Sequence, residues 1–176
     1  MPEALRLRLA GFASEDGLVE VVDHTDALVG HCSVAELPGC ARSGTFRFSP
    51  ISGADVTMGI RRRGIANPLR NRFVIAHASG TDEIQESKLA NFLRFNAAGI
   101  VAGHELDVRA RLTGAIAIGH DGQQIASITA IDRHQSYVDV VSSADERLLG
   151  ISVLMLLIYR RHHQQADIVA EYFGGR

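Results

Sequence analysis

The chain has 176 residues, 46% of them hydrophobic and 22% charged, with a formal net charge of -2. That is the size and composition of one folded domain, and it excludes an intrinsically disordered chain. A balance so close to neutral supplies no overall field to draw in nucleic acid or a membrane surface, so a charged partner would need a local patch. Roughly 70% of the unfolded chain's surface can be buried at this length, enough to fold without a disulfide, a metal or a cofactor, and none is expected.

The first segment, "MPEALRLRLAGFASEDG", carries acids early and has no continuous apolar stretch, so it is not a secretory signal. Strand-like alternation begins at Leu18. "LVEVVDHTDALVGHCSVAEL" (18–37) reads as two strands around "DHTDA", and 44–64 repeats the plan with Pro50, Gly53 and Asp55 at its turn. Residues 72–92 turn at "ASGTD", 92–112 at "NAAG" (96–99), and 115–131 at "HDGQ", where Asp121-Gly122 is a strong hairpin signal. A last pair spans 126–141 around "DRHQS". About twelve short strands at this spacing predict an antiparallel all-β sheet, and a sheet that long must curl or close to protect its edges.

The pattern changes at residue 143. Ser143 and Glu146 match the S-x-x-E capping box, acids lead, and Arg160, Arg161, His162 and His163 follow, as a helix dipole favours. Between them Leu148, Leu149, Ile151, Val153, Leu154, Met155, Leu156, Leu157 and Ile158 cover every azimuth. A helix apolar all round lies in a membrane or inside protein. The apolar run from Leu148 to Tyr159 falls short of the ~20 residues a bilayer crossing needs, so the helix is expected to be enclosed by the strands, with no transmembrane segment. The organisation read from the chain is a single domain, 1–176: strands over 1–142, a central helix over 143–163 and a helical tail over 164–176. In that tail Ile168, Val169, Tyr172 and Phe173 recur at helical spacing, a face that can fold back on the barrel or dock a second subunit as a homo-oligomer.

The C-terminal third resembles the tubby-like superfamily, in particular bacterial LURP-one-related and scramblase-like proteins. The resemblance rests on Asp121-Gly122 between two strands, then Tyr137, Val138, Val140 and Val141, then Asp145, then the hydrophobic helix. It implies a closed antiparallel β-barrel around the C-terminal helix. It also implies a non-enzymatic binding module, since a basic surface in some members is associated with phosphoinositide or other anionic lipid. The chain departs from the family in being poor in aromatic residues and in lysine, with Lys88 alone.

The densest basic stretch is "GIRRRGIANPLRNR", where Arg61, Arg62, Arg63, Arg70 and Arg72 flank a Gly-Asn-Pro connection. Guanidinium forks match phosphate oxygens, so this hairpin is the expected site for an anionic lipid or phosphorylated ligand, and a solvated edge hairpin is its plain alternative. A second reading is an enzyme or small-ligand barrel with an end pocket near His24, His104 or His134. A third is an assembly subunit that docks through its tail. His24, His31, Cys32 and Cys40 lie close together, yet adjacent residues of a strand point to opposite faces, so no metal site is expected there. Both cysteines are expected to be free thiols. Walker, G-x-G-x-x-G and G-x-S-x-G motifs are absent, and a likeness of the first hairpin to Nudix proteins fails for want of their acidic metal-binding box. The expected compartment is the cytoplasm, with peripheral contact at a membrane if the ligand is a lipid.

Overall fold

The alternation of apolar and polar residues resolves into twelve antiparallel strands in a computed structural model that describes residues 4–10, 18–61, 71–86, 96–130, 136–141 and 144–158. In chain order the strands are β1 (Ala4–Ala10), β2 (Val19–Asp23), β3 (Leu28–Val34), β4 (Cys40–Pro50), β5 (Val56–Arg61) and β6 (Arg72–His77). They continue as β7 (Gly80–Glu86), β8 (Asn96–Val101), β9 (His104–Ala110), β10 (Ile116–His120), β11 (Gln123–Ala130) and β12 (Ser136–Val141). Each strand pairs with its neighbours in sequence, and β1 pairs with β12, so the meander closes into a barrel with no open edge.

The seam of the barrel shows how closure follows from sequence. In "LRLRL" the leucines Leu5, Leu7 and Leu9 face inward and the arginines face out. Leu7 stands opposite Val138, and both are fully buried. On the outside Arg6 stands opposite Asp139 and grips both of its carboxylate oxygens at 2.7 and 3.0 Å, while its guanidinium lies 4.0 Å from the centre of the Tyr137 ring. The hairpins read individually from the sequence begin at Leu18, so β1, inside the 1–142 assigned to strands, is delimited only by the fold. β1 is the strand that closes the sheet.

Two described turns place two successive residues at positive φ. Asp121-Gly122 (50° and 77°) forms the expected two-residue turn, and Ala102-Gly103 (51° and 85°) forms another of the same hand. The turn expected at Asn96–Gly99 is therefore misplaced: those residues lie within β8, and the chain reverses at Ala102-Gly103. Gly99 serves close packing instead, since a Cβ there would sit 2.5 Å from the backbone oxygen of Glu83. Asn96 is engaged across the sheet, where its Oδ1 accepts from the Ala110 N–H at 3.1 Å.

A closed sheet of twelve strands is too wide for its own side chains to fill. The interior is occupied by a helix, α1, running over residues 146–158. Asp145 is its cap: the carboxylate accepts from the Leu148 N–H at 2.8 Å, and its backbone carbonyl accepts the first helical bond, from Leu149, at 2.9 Å. Ser143, the expected cap, lies outside the described residues. Every residue from Gly150 to Leu156 is buried, and at ~100° per residue that stretch faces all directions. Leu148, Ile151, Leu154 and Met155 belong to one cluster with Phe48, Met58, Phe73, Ile84, Leu106, Ile118 and Val140 of the strands. The one hydroxyl in that buried stretch, Ser152, is satisfied by the Leu148 carbonyl at 2.7 Å. Among the described residues no helix is long and apolar enough to cross a membrane.

The helix packs closely on the wall at Gly150, where a Cβ would lie 2.8 Å from Val56 Cγ2 and 3.4 Å from Phe48 Cδ1. Gly150→Ala gains up to about 1 kcal/mol of helix propensity but overfills this contact, a change that costs about 1–3 kcal/mol. We expect a net loss of stability in denaturant unfolding, and a smaller loss in a Val56→Ala background. An equal effect in both backgrounds would mean that the helix does not rest against β5 at this point.

Candidate functional site

In an up-and-down meander the connections alternate between the two ends of the barrel. The turns between β4 and β5, β6 and β7, β8 and β9, and β10 and β11 therefore share one end, and α1 begins there after β12. Arg61 closes β5 and Arg72 opens β6 at the opposite end. The two sequence-derived site candidates, an end pocket and a basic hairpin, are thus separated by the length of the barrel.

At the first end a pocket of about 330 Å3 lies between the β4–β5 turn, the β6–β7 turn and the start of α1. Its polar lining is Asp55, His77, Ser79, Asp145, Glu146 and Arg147. His77, whose side chain is 4% exposed, organises this wall. Its Nδ1 receives the Ser79 backbone N–H at 3.3 Å and lies 2.9 Å from Ser79 Oγ. A backbone N–H can only donate, so Nδ1 is the acceptor and the ring proton sits on Nε2, directed at Asp82 Oδ2 at 2.7 Å. The same carboxylate oxygen accepts from the Ala102 N–H at 2.7 Å, tying the β6–β7 hairpin to the next turn. The hydrogen bond from His77 and then that from Ala102 hold Asp82 below the usual carboxylate range, with Arg147 adding to the effect against a burial penalty.

Hydroxyl, imidazole and carboxylate stand here in the order that activates a nucleophile. The Ser79 N–H, however, is engaged by His77, so it is not free to stabilise an oxyanion at that hydroxyl. The arrangement braces a two-residue turn and gives the mouth a fixed set of donors and acceptors. Arg147 completes it. Its Nη2 reaches Asp145 at 3.1 Å, and its buried Nε has no hydrogen-bond partner among the described residues.

At the other end Arg61 and Arg72 converge on one acid. Their Nη1 atoms lie 3.2 Å from Glu83 Oε2 and Oε1 respectively, so both guanidinia reach a single carboxylate on the outer face of β5–β7. Arg62, Arg63 and Arg70 lie outside the described residues. Elsewhere on the described surface arginines are compensated in the same manner: Arg8 by Asp26, Arg42 by Glu36, Arg47 by Asp55 and Arg109 by Asp107. Arg111 is held by the Gln124 side chain.

Of the end-pocket histidines proposed from sequence, His24 is exposed in the β2–β3 turn, His104 sits at the rim beside the β8–β9 turn, and His134 lies outside the described residues. The docking residues Ile168, Val169, Tyr172 and Phe173 also lie outside them. Cys32 and Cys40 are free and buried; burial pushes the Cys32 thiol up to about 12, which leaves it unreactive. Sequence reasoning passed over His77, Ser79, Asp82 and Arg147. "HASGTD" looks like any polar turn, and only the pairing of β6 with β7 and of β7 with β8 brings its side chains under Ala102.

Asp82 gives a prediction with a definite sign. Its folded pKa lies below its unfolded value, so its contribution to stability is full above the ordinary 3.8 and is lost as pH falls through the lower folded value. Asp82→Ala, which strands the His77 and Ala102 donors, should cost about 1–3 kcal/mol at neutral pH. Asp82→Asn, which keeps an acceptor oxygen, should cost less. Urea unfolding at pH 7 and at pH 3 checks both, and a wild-type-like Asp82→Ala would detach this carboxylate from the fold.

No family model matches the chain, and no curated protein matches it. Among solved structures it is similar to the X-ray structure of an Arabidopsis thaliana protein, AT5G01750, at 11% identity, covering 88% of this chain and 90% of that one with a TM-score of 0.45.

Proposed function

We propose that the protein is a non-enzymatic binding module of the tubby-like kind, related to LURP-one-related and scramblase-like proteins, which engages an anionic lipid or phosphorylated ligand on the outside of its barrel. The observation that carries this reading is the filling of the interior: the described wall and helix form one continuous apolar cluster, so a ligand is met at the surface. The site is the basic connection between β5 and β6, with Arg61, Arg62, Arg63, Arg70 and Arg72. Supporting it, Arg61 and Arg72 already reach one carboxylate from adjacent strands, and two cations against one anion leave a surplus positive charge there. Glu83 is then the internal competitor of the ligand. An exposed pair of this type is worth at most about 1 kcal/mol, which a phosphate can readily displace. Attachment to a membrane would be peripheral.

Co-sedimentation with vesicles containing anionic lipid, and titration with inorganic phosphate, separate a lipid surface from a free anion. Binding should weaken with salt and in Arg61→Ala/Arg62→Ala/Arg63→Ala, and Glu83→Gln should strengthen it by releasing Arg61 and Arg72. Salt-insensitive binding, or none to either probe, removes the proposal. Unchanged affinity in Glu83→Gln would take Arg61 and Arg72 out of the site.

The mouth pocket favours a second reading, a small polar ligand held by Ser79, His77 and Arg147. A ligand there should protect the β6–β7 turn from hydrogen exchange and lose affinity in Arg147→Gln. Protection confined to the opposite end would exclude it.

A further inference from the structure

Three metal-ligating side chains meet at the rim of the mouth, although no short-range motif joins them. His104 opens β9, His120 ends β10 and Asp121 begins the following turn; antiparallel pairing of β9 with β10 sets His120 opposite Leu106 and so brings it back beside His104. One ring nitrogen from each histidine and one Asp121 oxygen all lie within 4.8 Å of one another. The two rings are 5.0 Å apart, centre to centre, at 38°.

Hydrogen bonding accounts for part of this cluster and leaves a remainder. His104 Nδ1 lies 2.7 Å from Asp121 Oδ2, and the other carboxylate oxygen accepts the Glu105 N–H at 2.9 Å, so the acid is oriented by backbone. His120 is left over: its Nε2 is buried without a hydrogen-bond partner among the described residues. An orphaned buried nitrogen is costly, and it is the sort of group that an unfilled ligand position explains.

We propose that His104, His120 and Asp121 form a binding site for a divalent transition ion of the zinc class. Two imidazoles and one carboxylate are the donors that zinc prefers, and a calcium or magnesium ion would want oxygens in their place. Tetrahedral coordination puts ligand atoms about 3.3 Å apart. Reaching it requires the His104–Asp121 contact to open slightly and the wider contacts to close, movements that the exposed His104 and Asp121 side chains can make toward His120. Glu105 N–H serves as the outer-shell partner that aims the carboxylate. Three protein ligands leave the fourth position to water or to an exogenous donor at the open mouth, so the site is an exchangeable one and not a closed structural centre.

The test uses the full chain stripped with chelator and titrated with Co2+, read by its visible d–d absorption, and with Zn2+, read by calorimetry. One equivalent should bind, and His104→Gln and Asp121→Asn should each weaken binding by roughly tenfold or more. His104→Gln is at an exposed strand end, so it keeps the test decisive if Asp121→Asn disturbs the positive-φ turn; circular dichroism reports whether either variant is folded. Absence of saturable binding overturns the proposal. So does binding whose affinity is unchanged in His104→Gln, since the ion would then be held by other histidines of the chain.

Discussion

A closed sheet of twelve strands encloses more volume than its own inward side chains can occupy, and the helix α1 is the solution to that excess. Everything else in the architecture follows from this fit. The helix must be apolar on all sides because the wall surrounds it, and the strands present apolar residues inward that join the helix in one cluster. Gly150 marks one point where the fit is tight. Nothing larger than hydrogen has room between the helix and Val56. The filling of the barrel comes from the chain itself.

The outer face is organised by charge pairing. Exposed ion pairs such as Arg8 with Asp26 or Arg42 with Glu36 add little stability, but they leave few described cations unpartnered. The Arg61–Glu83–Arg72 group differs in stoichiometry, with two guanidinia sharing one carboxylate. The two ends of the barrel differ in chemistry as well. One end carries this basic group, and the other carries imidazoles and carboxylates braced by backbone N–H groups. Asp82 and Asp121 have parallel roles at that second end, each accepting from a histidine and from the backbone of a neighbouring strand or turn.

Much of this fold can be read directly along the chain, since period-2 alternation and turn residues are local signals. The Asp121-Gly122 turn is such a case, because the dipeptide tolerates positive φ wherever it occurs. "NAAG" misleads for the same local reason: Asn96 and Gly99 resemble turn residues, but Gly99 is small because β7 passes close by, and no residue near it in sequence announces that. β1 is not delimited as a separate strand by sequence, because Leu5, Leu7 and Leu9 form a single short alternating run whose meaning depends on β12, more than 120 residues later.

The enclosed helix was implied by its own residues, because an all-round apolar run too short for a membrane must be covered by protein, and about twelve strands are the only covering the chain offers. Hydrophobicity is a property of each residue and survives being read in one dimension. Site chemistry is a property of distances. Ala102 lies outside the β6–β7 hairpin that holds His77 and Asp82, and His104 and His120 lie on different strands. Their convergence depends on which turns share an end of the barrel and on the register of pairing, and only the folded sheet sets both.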